Sequence, residues 1–334
     1  MTTHILLDHG SGGLASQRLI QEVFVRHLGN PVLSSLNDAA CLEISGPVAM
    51  STDTFTVTPL FFPGGDIGSL AVHGTVNDVA MCGAVPRFLS CGFILEEGLE
   101  LEVLDRIVFS MAQAAELAKV RIVTGDTKVV PRGAVDQVFI NTTGLGEIQN
   151  QNPPQGNRAQ PGDVVLVNGT IGDHGLTIMA HREGLRFQTP VHSDSAALHH
   201  LVHKLMRTVG DVHVLRDPTR GGLATTIKEI AEQSEVSIEL EESAIPIDPG
   251  VKEGCAFLGL DPMFLANEGK MICIVPERMA QQALAIMHDD NLGTDAAIIG
   301  RVGAENPGRV VLNTAIGGQR LVHMLEGEQL PRIC

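Results

Sequence analysis

The chain contains no tryptophan and no tyrosine. Any site it carries therefore works without an indole or a phenol. Cations are also scarce: 23 Lys and Arg face 39 Asp and Glu, a formal charge of −16. That balance excludes a nucleic-acid groove and an anionic-membrane surface, both of which need a basic face. The six cysteines form no Cys-x-x-Cys pair, which removes zinc ribbons and thioredoxin-like motifs. No run approaches the roughly 18 apolar residues of a membrane helix. The N-terminus lacks the charged-then-apolar pattern of a secretory signal. These absences predict a reduced, cytoplasmic protein. Cys41, Cys82, Cys91, Cys255 and Cys273 read as small buried thiols, whereas Cys334 stands apart as the last residue.

What is present is an ordinary globular balance, 44% hydrophobic and 19% charged, with 36 glycines over 334 residues. At about 150 residues per domain, two domains are expected. After His9-Gly10-Ser11-Gly12-Gly13, residues Ile20, Val23, Phe24 and His27 repeat at helical spacing until Gly29 and Pro31 stop them. Strand-like runs follow at Val32-Leu33, Cys41–Ile44 and Val48–Met50. Leu104, Ile107, Val108 and Met111 form one stripe of a helix with Glu100, Glu102 and Asp105 near its start. Strands are expected at Val120–Val123 and Phe139–Leu145. The polar, Pro- and Gly-rich stretch 149–162 reads as a surface connection between halves. Beyond it, Val164–Val167 suits a strand buried on both faces. Helices are expected near 194–209, 222–234 and 277–288, and strands near 271–275, 296–299 and 309–312. The class is α/β (α+β), with domains 1–150 and 151–318 and a flexible tail 319–334 that ends in Cys334.

The chemistry-bearing residues recur beside small neighbours. Asp38 follows Asn37, Asp53 lies between two threonines, Asp78 follows Asn77, and Asp126 sits in Gly125-Asp126-Thr127-Lys128. Asp53 and Asp126 directly follow apparent strands. A few carboxylates with phosphate oxygens and water suit Mg²⁺, although aspartates also cap turns. The loop Phe61–Gly68 enters a predicted helix Ser69–Val79, where free backbone N–H groups suit phosphate; it is not a Walker loop. Thr170–Gly175 and Asp217–Gly222 are two more glycine turns at helix starts. Lys128, Arg220 and Lys270 are cations that either meet phosphate or sit in solvent. His199, His200 and His203 fall opposite the stripe Leu198, Leu201, Val202 and Leu205, which predicts a solvated face. The end, Pro331-Arg332-Ile333-Cys334, does not fit a prenylation signal. It presents a thiol that one protein can modify and another site can accept.

These motifs, in this order and over nearly the whole chain, resemble the HypE family of hydrogenase maturation factors. The carriers are His9–Gly13, Thr52-Asp53, Phe61–Gly68, Gly74–Asp78, Gly125–Lys128, Gly169–Gly175, Asp217–Leu223, Asn267–Lys270 and Pro331–Cys334. That family belongs to the ATP-dependent superfamily of aminoimidazole ribonucleotide synthetase and selenophosphate synthetase. Asn37-Asp38 stands where the superfamily often has paired aspartates. The resemblance implies a two-domain fold whose N-terminal half forms a β-barrel across a homodimer. It implies that a carbamoyltransferase, HypF, carbamoylates Cys334. ATP then drives dehydration to a thiocyanate, and the cyanide passes to a HypC–HypD iron scaffold. By the same resemblance, Asp38, Asp53, Asp78 and Asp126 hold Mg²⁺, and Gly12, Thr52, Phe61, Gly64, Gly65, Asn77, Gly125 and Thr127 bind ATP. Glu268 and Lys128 flank the modified thiol, with Glu268 as base. Two other readings are a superfamily enzyme acting on a free small molecule and a non-catalytic scaffold that only presents the thiol.

Overall fold

Apolar runs of two kinds build two sheets, and the computed structural model describes them over residues 3–185, 190–327 and 332–334. In the first half, a 3-10 turn Leu7–Gly10 precedes helices α1 (Leu14–Leu19) and α2 (Arg26–Leu28), joined through a π-helical turn Ile20–Val25. Next come β1 (Val48–Phe55), the ribbon β2 (Phe61–Phe62) and β3 (Gly65–Asp66), and helix α3 (Ile67–Met81). β4 (Ala84–Glu96), α4 (Leu101–Leu117), β5 (Arg121–Val130) and β6 (Val138–Ile148) complete this half. Its four strands lie in the order β1-β6-β4-β5, antiparallel except for the β4/β5 pair. One face packs on α3 and α4 through Phe55, Leu89, Leu95, Ile140, Leu70, Leu104 and Ile107.

The second half runs β7 (Asp163–Val167), α5 (Asp173–Arg182), α6 (His199–Thr208), β8 (Val214–Arg216), α7 (Gly222–Gln233) and β9 (Ser237–Glu241). It continues through α8 (Pro249–Leu258), β10 (Ile272–Pro276), α9 (Glu277–His288), β11 (Ala297–Gly303), β12 (Val310–Asn313) and β13 (Gln319–Leu321). The seven strands order as β13-β12-β9-β11-β7-β10-β8. Central β7 is buried along its whole length. Val165 and Val167 enter one apolar cluster, while Val164 and Leu166 enter the other, which is why the run is continuous rather than alternating. Most pairings are antiparallel, so the observed class is α+β.

Several expectations are corrected. Cys41–Ile44 forms no strand, and Val32-Leu33 leads into a 3-10 turn, Leu33–Ser35. Asp53 and Asp126 lie within β1 and β5 rather than after them, because the strands continue through the polar segments Thr52-Asp53-Thr54 and Gly125-Asp126-Thr127. The segment after Gly318 is not featureless: β13 pairs with β12, Val322 is buried, and Ile333 is 5% exposed in the N-terminal core. Pro331 lies outside the described residues. Cys41 and Cys82 are exposed, one on an irregular loop and one at the C-cap of α3. His199 is buried with both ring nitrogens unpartnered. α6 is covered on a second side by α3, which brings His73 near His199, and burial presses the His199 imidazole down to about 4.

Candidate active site

Five elements converge on a dry cluster at the β1 edge of the first sheet. Strand register puts Asp53 in a row with Thr142, Cys91 and Gly125. Its side chain faces α3 at Gly74, where any Cβ would meet the Phe55 ring at 2.9 Å. Asp78, on the next turn of α3, accepts a 2.6 Å hydrogen bond from Ser51 Oγ. Asp217, from the loop between β8 and α7, lies close enough to share a hydrogen bond with Asp78, whose charge in turn raises the Asp217 carboxyl. Burial pushes both up, Asp217 to about 7, and Asp53 adds to the repulsion.

Glu268 completes the acidic side and is 4% exposed, with Oε1 unpartnered. Burial, then the charges of Asp194, Asp217, Asp53 and Asp78, hold its carboxyl well above the usual range. Its main chain is fixed from beneath. Asp194 accepts from the N–H of Glu268 (3.0 Å) and of Gly269 (3.1 Å) and pairs with Lys270 at 3.2 Å. Residue 269 must be glycine, since a Cβ would fall 1.8 Å from the Asp194 carbonyl oxygen.

The chain's own end closes this cluster. A Cys334 carboxyl-terminal oxygen accepts from Thr56 N–H at 3.0 Å, and the Arg332 carbonyl accepts from Thr58 N–H at 3.3 Å. Arg332 donates to Thr56 O (2.8 Å) and pairs with Asp136 at 2.5 Å. Arg182 donates to both the Arg332 and Thr58 carbonyls at 2.8 Å. The tail thus adds an extended segment beside residues 56–58. Burial and the neighbouring Glu268 carboxyl push the Cys334 thiol up to about 12, against a hydrogen bond from Arg220. A cavity of about 530 Å³ opens beside it, lined by Thr54, Arg220, Ala266 and Cys334.

A second cluster lies on the far edge of the same sheet. A cavity of about 570 Å³ between the N-terminal segment and β5 gathers Gly12, Gly125, Asp126, Thr127 and Lys128. Asp126 shares its row with Gly92, Asn141 and Thr54, one residue out of phase with Asp53. It therefore faces solvent, 72% exposed, with Lys128 at 3.4 Å and 66% exposed. Asp38 sits on an exposed loop against a different, shallow cavity with Ser90 and Thr143.

The structure therefore brings Asp53, Asp78, Glu268 and Cys334 together and holds Asp38, Asp126 and Lys128 apart from them. Among the described residues no three His, Cys, Asp or Glu side chains form a ready metal cage. Mg²⁺ that arrives with a nucleotide needs only a few carboxylates beside phosphate oxygens, and the Asp53–Asp78 edge offers that. Thr52 points to the solvent face, bonded to Thr143 and Asn141. Asn77 is 2% exposed, and its amide holds the Ala196 and Glu268 carbonyls. The N–H groups at the start of α3 are taken by the Asp66 side chain. Phe61 lies under the Arg106 guanidinium. Gly64 passes so near Ser193 that a Cβ would meet its carbonyl oxygen at 2.6 Å, and Gly65 pairs with Phe62 in the ribbon. Sequence reasoning named the Asp217 loop and the Thr170–Gly175 turn without singling out Asp217 or His174, and missed Asp194 and Arg182.

The model of the AIR synthase related protein N-terminal domain matches residues 36–148, and that of the C-terminal domain matches 160–313. The chain is 54% identical over 327 residues to carbamoyl dehydratase HypE of Azotobacter vinelandii, covering 98% of this chain and 96% of that one. The chain belongs to the HypE family. A crystal structure of a HypE in complex with ATP superposes with a TM-score of 0.96 at 60% identity, covering 98% of this chain and 99% of that one. HypE from a HypE–HypF complex superposes at 0.82 and 48% identity, covering 92% and 99%. The chain thus has the two-domain fold of HypE and of the AIR synthase related proteins, and its HypE relatives are enzymes named carbamoyl dehydratases.

Proposed function

We propose that the chain dehydrates a carbamoyl group carried on its own Cys334 to a thiocyanate, using ATP, for hydrogenase maturation. The observation that carries this reading is the unpartnered, buried carboxyl of Glu268 beside the thiol of the chain's last residue. A buried carboxyl with no hydrogen-bond partner is costly unless something else meets it. Here the group within reach is the S-linked amide.

The chemistry follows from leaving-group ability. An amide oxygen does not leave as oxide, so the γ-phosphoryl group of ATP is transferred to it, with loss of one N–H proton. Loss of the second N–H proton then expels phosphate and leaves S–C≡N. Glu268 takes N–H protons, Arg220 faces the developing phosphate charge, and Thr56 and Arg182 hold the tail in place. Asp53 and Asp78 of one copy, with Asp38 and Asp126 of a second copy, would be the carboxylates for Mg²⁺, which would neutralise phosphate charge. Gly12, Gly125 and Thr127 line the nucleotide side.

The reading includes a homodimer. β1 and β5 are the two edges of an open sheet, so Lys128 and Cys334 of one chain lie at opposite edges. Apolar Val48, Met50 and Ile94 are 46%, 68% and 40% exposed on this sheet. A second copy packed there would close a barrel and bring its Lys128 towards the docked thiol. Domains 1–150 and 151–318 then supply the two walls of the site, and 319–334 the substrate arm. HypF supplies the carbamoyl group, a HypC–HypD scaffold receives the cyanide, and the setting is the cytoplasm.

The test is mass spectrometry of the tail peptide after incubation with carbamoyl phosphate, ATP and HypF. A carbamoyl adduct on Cys334 is expected, followed by loss of one water only with Mg-ATP. Either adduct on another residue, or water loss without ATP, sinks the reading.

A further inference from the structure

His174 is fully buried at the second position of α5, and both its ring nitrogens are engaged although the chemistry above uses neither. Nε2 lies 2.8 Å from the Ile333 carbonyl oxygen. A carbonyl can only accept, so Nε2 carries the hydrogen. Nδ1 is then an acceptor, and the Ser193 hydroxyl at 2.8 Å must donate to it. Ser193 Oγ in turn accepts from the Ser195 N–H at 3.1 Å. The chain of bonds runs one way, from the 193–195 backbone through the imidazole to the tail.

That same segment also contacts three other parts of the site. The Ser193 N–H donates to Pro63 O at 2.9 Å in the Phe61–Gly68 loop. Asp194 fixes the Glu268 and Gly269 amides. Ser195 Oγ bonds His73 Nδ1 at 3.0 Å on α3. We propose that His174 is a positioning residue that docks the tail by reading the Ile333 carbonyl, and that Ser193–Ser195 ties this docking to the placement of Glu268. The proposal rests on the reading of Cys334 as the substrate carrier. Recognition through a main-chain carbonyl tolerates any modification of the thiol one residue further on, so free, carbamoylated and cyanated tails dock alike.

The experiment measures how fast iodoacetamide alkylates Cys334 at pH 8 in the full-length chain, without ATP or partner. The docked thiol is half-buried and high in pKa, so it reacts slowly. His174→Asn, whose amide cannot reach the Nε2 position, should speed Cys334 by about tenfold, the worth of one buried hydrogen bond. His174→Gln restores a donor near Nε2 and should stay within about threefold of the native rate. Cys255 and Cys273, both buried, must remain unreactive as the mark of an intact core. An unchanged Cys334 rate in His174→Asn overturns the proposal, as does equal acceleration in His174→Gln. Where Cys273 becomes reactive, Ser193→Ala decides, because it keeps the imidazole but removes its lock. Acceleration of about threefold supports the role and no change overturns it. A parallel assay of water loss from the carbamoylated tail separates the two readings. Docking without dehydration defeats the function, and dehydration without His174-dependent docking defeats only this proposal.

Discussion

The two edges of the N-terminal sheet carry carboxylates a residue or so apart in register, yet they are opposite environments. At β1, Asp53, Asp78, Asp217 and Glu268 meet in a dry recess where burial, with neighbouring negative charge, pushes Asp78, Asp217 and Glu268 up and the Cys334 thiol up with them. At β5, Asp126 and Lys128 stand mostly in water, and their separation of 3.4 Å needs no burial. The difference is set by strand phase and by cover. Asp53 points at α3, while Asp126 points away from it. A dry edge suits proton removal, because a carboxylate without solvent is the stronger base. A wet edge suits a large, highly charged ligand that must enter and leave. The molecule separates the two tasks by the width of one sheet.

The comparison breaks first at the thiol. Cys334→Ser should abolish both tail adducts, since that thiol is the proposed carrier of the carbamoyl group; a residual water-loss product would mean that the dry edge is not where the substrate sits. Glu268→Gln comes next. It should keep the carbamoyl adduct, which is made elsewhere, and slow water loss by roughly 10²- to 10⁴-fold, the range for a lost general base. Native dehydration in that variant ends the assignment of Glu268 as base.

Much of the dry edge was legible before any coordinates. Asp53 and Asp78 stand among threonine, asparagine and glycine, and the last residue is a cysteine, so local patterns flagged them. Asp194 gave no such signal, and His174 entered only as one member of the Thr170–Gly175 turn. Ser-Asp-Ser is an unremarkable loop, and its value comes from contacts with residues 63, 73, 174 and 268, which only the tertiary fold creates. Of the three α6 histidines, His199 departs from the expected solvated face for a related reason, while His200 is exposed as expected. A helical wheel gives one apolar face, but α6 is packed on two sides, and His199 falls on the second. The Phe61–Gly68 loop shows a third limit. Its glycines suggested free N–H groups, whereas Asp66 occupies those groups within the same motif.

A third, smaller effect is the cost of crowding acids. In the folded chain the Asp78–Asp217 pair is raised, so between the ordinary carboxylate range and about pH 7 it holds protons that the unfolded chain has released. Stability then falls as pH rises through that window. Asp217→Asn removes one charge and should flatten the profile. With metal chelated, the variant should gain on the order of 2 °C in Tm over the native chain at pH 8, and less at pH 4. Parallel profiles would mean that the recess is wetter than its burial indicates, which narrows the contrast between the edges.

The smallest expected effect on stability is at the wet edge, and it is the most discriminating. Asp126 and Lys128 are an exposed ion pair, and such pairs contribute about 0–1 kcal/mol. Asp126→Asn should therefore leave the ligand-free Tm within about 1 °C of native, since even a few tenths of a kcal/mol moves a chain of this size very little. If this edge takes the nucleotide with its metal, the same variant should lose most of the Tm gain that saturating Mg-ATP gives the native chain, because that gain scales with affinity. A ligand-dependent shift that survives Asp126→Asn but disappears in Asp53→Asn would move the nucleotide to the dry edge. The two edges would then share one task, and the sheet between them would be scaffold alone.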